Sequence, residues 1–66
     1  MTIFFNDKPI IISENLTVQE FVDSQGFKKN GTGIAVNDIF IRQADWEKRL
    51  LKEGDKIVMI QAAYGG

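Results

Sequence analysis

The chain has 66 residues, 44% apolar and 26% charged, with eight basic against nine acidic side chains and a net charge of −1. That length leaves room for one hydrophobic core, and no run approaches the roughly 20 apolar residues of a membrane span, so a single soluble domain over residues 1–66 is expected. The chain contains neither cysteine nor histidine, which removes disulfides, thiolate nucleophiles, Cys-based zinc sites and the commonest general base near neutral pH; the charge balance gives no basic footprint for nucleic acid.

The sequence enters the apolar run Ile3-Phe4-Phe5 without the features of a secretory signal, which sets a cytoplasmic expectation. Ile3–Asn6 predicts a first strand, Asn6-Asp7-Lys8-Pro9 a turn, and Ile10–Ile12 a second strand antiparallel to the first. Thr17-Val18-Gln19-Glu20 fits a capping box, in which the Thr17 hydroxyl accepts from the Glu20 amide and the Glu20 carboxylate accepts from the Thr17 amide. Leu16 and Phe21 stand where a hydrophobic staple would join the residue before the cap to the first turn. Val18, Phe21 and Val22 form one apolar stripe, and Gly26 suits the left-handed position that ends a helix, so a helix is expected from Val18 to Gln25 with Phe21 and Val22 as its core pegs.

Lys28 to Gly33 reads as a loop. Ile34-Ala35-Val36 and Ile39-Phe40-Ile41 then predict a hairpin closed by the two residues Asn37-Asp38. Trp46, Leu50 and Leu51 at offsets of four and five suggest a short helix over Asp45–Leu51, with Trp46 as a lid on the core. Glu53-Gly54-Asp55 makes a turn, Lys56–Gln61 the last strand, and residues 62–66 a flexible tail.

The order strand, strand, helix, strand, strand, strand leaves too little chain for a second helical layer. A mixed sheet of about five short strands, with one face packed on the single helix, satisfies it. A right-handed crossover through the helix would set the last strand centrally beside the first. This is an α+β arrangement, the ubiquitin-like β-grasp.

Two features bear on function. If Ile3, Phe5, Ile57 and Met59 point at the helix, alternation sends Phe4, Val58 and Ile60 to the opposite face. Either that apolar face is a partner surface, or the Trp46 segment runs over it and buries Val58 and Ile60. The other feature is the terminal Gly65-Gly66, a pair that chance places at a chain end in roughly one sequence in 200. Ala63, Tyr64 and Gly65 could thread a partner's narrow channel, since glycine lacks a Cβ. Gly66 then carries a carboxylate whose delocalised charge resists nucleophiles until a partner activates it. Asn30-Gly31-Thr32-Gly33 lacks the Lys-Ser/Thr of a phosphate loop and reads as a flexible turn. The pairs Asp45 with Glu47 and Glu53 with Asp55 read as solvated turn carboxylates.

Across its whole length the sequence resembles the ThiS family of sulfur carriers. The resemblance rests on Ile3-Phe4-Phe5-Asn6-Asp7, Leu16-Thr17-Val18, Ala35-Val36-Asn37, Arg42 with Trp46, Glu53-Gly54-Asp55-Lys56-Ile57 and the terminal Gly65-Gly66. It implies a non-catalytic co-substrate that binds no cofactor of its own. Gly66 would be adenylated by a ThiF-like adenylyltransferase using ATP. With sulfur from a donor enzyme it would become a thiocarboxylate, which a ThiG-like thiazole synthase would consume in thiamine biosynthesis. Neither nucleic acid nor membrane is an expected partner. A carrier resembling the molybdopterin synthase small subunit, a protein-conjugated modifier, and a plain β-grasp interaction domain remain alternatives.

Overall fold

The computed structural model describes residues 1–61, and its elements are β1 (Thr2–Phe5), β2 (Lys8–Ile11), α1 (Val18–Ser24), β3 (Thr32–Val36), β4 (Ile39–Ile41), a 3₁₀ turn (Gln43–Asp45) and β5 (Lys56–Gln61). The five strands form one sheet in the order β2-β1-β5-β3-β4. The β1–β5 pair is parallel and the other three pairs are antiparallel. The last strand therefore lies centrally beside the first, as the crossover argument requires.

Both hairpins close on two residues in the left-handed region: Asn6 and Asp7 at φ 47° and 70°, Asn37 and Asp38 at φ 52° and 68°. These are the angles of a type I′ turn, whose twist matches that of the strands it joins, and Asn and Asp tolerate them better than most residues. The first turn is thus shorter than the expected Asn6–Pro9, and Lys8 and Pro9 belong to β2. The closing pair Phe5–Lys8 takes the hydrogen-bonded position, which puts Pro9 at a non-bonded one with its nitrogen on the free edge. Each turn asparagine also holds the central strand. Asn6 Oδ1 accepts from the Met59 amide at 3.0 Å and Asn37 Oδ1 from the Lys56 amide at 3.0 Å.

The helix begins as expected. Thr17 Oγ1 accepts from the Glu20 amide at 3.1 Å, and Glu20 Oε1 accepts from the Thr17 amide at 2.9 Å. The Val18 and Gln19 amides, which a helix start leaves without internal partners, donate to the Arg49 and Trp46 carbonyls at 2.9 and 3.0 Å. Gly26, at φ 78°, ends the helix in a Schellman motif, with its own amide donating to the Asp23 carbonyl and that of Phe27 to the Val22 carbonyl.

Those helix-start contacts explain the main departure from expectation. Residues 45–51 are not a helix; a 3₁₀ turn over Gln43–Asp45 leads into an irregular stretch. The Trp46 carbonyl, which a helix there would give to the Leu50 amide, accepts from the Gln19 amide instead, and the Arg49 carbonyl accepts from that of Val18. Strand β3 likewise starts at Thr32 rather than Ile34, so Thr32 and Gly33 leave the expected loop.

Val18, Phe21 and Val22 pack on Ile3, Ile34, Val36, Ile57, Met59, Leu51 and Trp46 to form the core. Phe21 and Val22 are fully buried, and the Phe5 ring meets Phe21 edge-on at 5.3 Å between centroids. Trp46 is fully buried in this cluster, with Nε1 donating to the Ile41 carbonyl at 3.0 Å. Among the described residues no helix is long and apolar enough to cross a membrane.

Candidate functional site

Alternation along β1 and β5 divides their side chains between two faces. Ile3, Ile57 and Met59 enter the core, while Phe4, Val58 and Ile60 are exposed on the other face at 38%, 42% and 68%. Trp46 sits in the core and does not cover that face, so the reading in which the Trp46 segment buries Val58 and Ile60 is set aside.

The pairing registers give the face its layout. Phe4 stands beside Lys56 on one side and Pro9 on the other. Val58 stands beside Ala35, and Ala35 in turn beside Phe40 of β4; Ile60 stands beside Gly33. Phe40, two-thirds exposed, thus joins the apolar face, although it was not among the predicted surface residues. A signal for it was present: in a hairpin closed on Asn37-Asp38, Phe40 falls opposite Ala35, on the face that Ile34 and Val36 leave. The ring leans over Gly33, since a Cβ built there would lie 3.8 Å from Phe40 Cε1.

One predicted surface carboxylate proves to be internal. Asp55 is buried: Oδ1 accepts from Asn37 Nδ2 at 3.0 Å, Oδ2 accepts from the Lys52 amide at 2.8 Å, and Arg49 Nη2 lies 3.7 Å from Oδ2. Its neighbour Glu53 is exposed and accepts from the Thr2 amide at 3.0 Å. Asp55 therefore ties the β3–β4 turn to the segment before β5, a structural role, and does not pair with Glu53. Asp45 pairs at 3.5 Å with Arg42 instead of Glu47.

The predicted tail residues Ala63, Tyr64, Gly65 and Gly66 lie outside the described residues. What the structure fixes is their point of departure. β5 ends at Gln61, immediately after Ile60 of the apolar face. Five residues span at most about 17 Å when fully extended. Any enzyme acting on Gly66 must therefore reach it within that distance of Gln61.

A five-stranded mixed sheet gripping one helix, with an apolar outer face beside the strand that leads to the terminus, defines a small ubiquitin-like β-grasp protein. The fold closely matches the crystal structure of the thiamine biosynthesis protein ThiS from Geobacter metallireducens, at a TM-score of 0.86 and 20% identity over the whole of both chains. An NMR structure of a thiamine biosynthesis protein from the same organism matches at a TM-score of 0.83 and 20% identity, over all of this chain and 88% of that one. By sequence, the chain is 27% identical to the sulfur carrier protein ThiS of Escherichia coli (strain K12) over 66 residues, the full length of both. Residues 2–66 match the ThiS family, and the chain belongs to it.

Proposed function

We propose that this chain is a sulfur carrier of thiamine biosynthesis and that its working group is the Gly66 carboxylate. The observation that carries the reading is the family match, which runs from residue 2 through the terminal diglycine. The full-length correspondence with the Escherichia coli sulfur carrier supports it.

The chemistry follows from the poor electrophilicity of a carboxylate. A ThiF-like adenylyltransferase lets a Gly66 oxygen attack the α-phosphorus of ATP, forming an acyl adenylate and releasing pyrophosphate. A sulfur nucleophile from a donor enzyme then attacks the activated carbonyl and expels AMP. A thiol of the donor system then attacks the donor's own sulfur and forms a disulfide with it, so that the transferred sulfur leaves on Gly66 as a thiocarboxylate, which a ThiG-like thiazole synthase consumes. In this scheme the chain is a co-substrate that binds no cofactor, and ATP belongs to the partner. The face formed by Phe4, Val58 and Ile60 is the grip, and Ala63, Tyr64 and Gly65 enter the partner's channel.

Intact mass spectrometry after incubation with an adenylyltransferase, ATP and a sulfur source tests the scheme. The expected result is a mass gain equal to exchange of one oxygen for sulfur. Deletion of Gly66 should abolish that gain and leave the thermal midpoint unchanged, because among the described residues every core residue lies between positions 3 and 59. Isopeptide adducts would point to a protein modifier, activity with a molybdopterin synthase large subunit to the other carrier class, and an unmodified chain to a plain interaction domain.

A further inference from the structure

The Asn30-Gly31-Thr32-Gly33 stretch takes no part in the carrier scheme, and its first two residues have a chemistry of their own. Lys29 to Thr32 form a turn closed by the Thr32 amide, which donates to the Lys29 carbonyl at 3.2 Å. Gly31 stands third in that turn at φ 78°, a left-handed angle that favours glycine there. The ends of the turn are tied down: Gln43 Nε2 also donates to the Lys29 carbonyl, and Thr32 Oγ1 donates to that of Lys28 at 2.6 Å. Its centre is loose. Asn30 and Gly31 are exposed, and a Cβ built on Gly31 would meet nothing within 4 Å. Among the described residues neither the Asn30 side chain nor the Gly31 amide is in a hydrogen bond. The peptide between them can therefore swing without breaking the bond that closes the turn, and glycine accepts the changed φ readily.

That freedom matters because an asparagine side chain can react with the amide that follows it. The Gly31 nitrogen attacks the Asn30 side-chain carbonyl carbon and forms a C–N bond. The side-chain nitrogen leaves as ammonia, carrying away the proton of the Gly31 amide, and a five-membered cyclic imide remains. Water opens one or other imide carbonyl. The result is an aspartate in an unaltered main chain, or an isoaspartate whose main chain runs through the former side-chain carbon. No redox partner is needed; water is consumed and ammonia released.

The other asparagines are restrained. Asn6 Oδ1 holds the Met59 amide, and Asn37 is held at both ends, by Asp55 through Nδ2 and by the Lys56 amide through Oδ1. Asn15 is exposed but precedes Leu16, whose branched side chain crowds the attacking nitrogen and packs against the core, and whose carbonyl accepts from the Leu51 amide. We propose that Asn30 is a site of spontaneous modification in the folded protein, converting through the imide to a mixture of aspartate and isoaspartate. Each event places a carboxylate beside Lys28 and Lys29. The isoaspartyl form also lengthens the main chain just before Thr32, the residue registered with Gln61 where the tail departs. The proposal is independent of the carrier reading.

The test is incubation of the full chain in mildly alkaline buffer, folded and in urea, with two readouts. Peptide mass spectrometry locates exchange of NH2 for OH, and methyl transfer from S-adenosylmethionine by an isoaspartyl methyltransferase counts the rearranged product. Exchange is expected first at Asn30, with methyl label rising alongside it, and at a rate in the folded chain within a few-fold of that in urea. Asn30→Gln should remove the label, because the six-membered imide closes far more slowly. Gly31→Ala should slow exchange several-fold by crowding the attacking nitrogen; its thermal melt is run beside it, since alanine is strained at a positive φ. A folded-chain rate far below the urea rate would show that the turn restrains Asn30 and overturn the proposal. So would exchange appearing first at Asn6, Asn15 or Asn37, labelling that survives Asn30→Gln, or exchange at Asn30 without label, which means direct hydrolysis with no imide.

Discussion

Asp55 shows how much one side chain can hold in so small a domain. Its two oxygens accept from Asn37 Nδ2 and the Lys52 amide, with Arg49 alongside, and its side chain is 8% exposed. Removing it leaves the Asn37 amide and the Lys52 N–H, both in part-buried bonds, short of an acceptor, while the half-buried Arg49 guanidinium keeps its bond to the Leu50 carbonyl. Asp55→Ala should therefore cost about 1–3 kcal/mol in urea denaturation. Glu53→Ala, two positions away and exposed, should cost less than about 1 kcal/mol. Equal losses would show that the Asp55 contacts add nothing beyond a surface turn. Glu53-Gly54-Asp55 gives no local sign of this difference. Asp55 is internal because Asn37, eighteen residues earlier, arrives from the other hairpin, and spacing within a turn carries no information about that. Phe40 was more accessible to reasoning, since hairpin register alone assigns it a face.

At the scale of elements, helix α1 and the 43–51 segment were legible to different degrees for one physical reason. The signals that start and stop α1 are local: Thr17 and Glu20 exchange bonds three residues apart, and Gly26 adopts its left-handed angle just past the last turn, its amide bonded three residues back. The 46–51 segment takes its shape from partners far off in sequence. Trp46 is drawn into the core, and the Trp46 and Arg49 carbonyls are taken by helix amides some thirty residues earlier. The same arrangement limits what the capping box is worth. Thr17→Ala removes the acceptor for the Glu20 amide, but the Val18 and Gln19 amides keep theirs. The expected loss is about 1 kcal/mol, read by chemical denaturation, with faster hydrogen exchange at Glu20 and little change at Val18 and Gln19. A loss above about 3 kcal/mol would mean that Thr17 anchors the 46–51 segment as well as the helix.

For the molecule as a whole, the sheet has two faces with different duties, and adjacent residues on one strand can separate them. Ile3 and Phe4 are neighbours on β1, one fully buried against the helix and the other 38% exposed on the opposite face. A carboxylate at position 3 would be buried without a partner, at a cost comparable with the whole stability of a domain this size. At position 4 it would remain in water beside Lys56, its registered neighbour. Ile3→Asp should therefore show no cooperative thermal transition, while Phe4→Asp should fold with a loss within about 1 kcal/mol. Only the folded Phe4→Asp variant can then be asked whether the face matters to a partner. It should be adenylated at Gly66 with a raised KM, because the reacting carboxylate is untouched and the apolar grip now carries a charge. A Phe4→Asp protein that melts like Ile3→Asp would place Phe4 in the core. One that folds and keeps the wild-type KM would confine docking to the β5–β3–β4 side of the face, around Val58, Ile60 and Phe40.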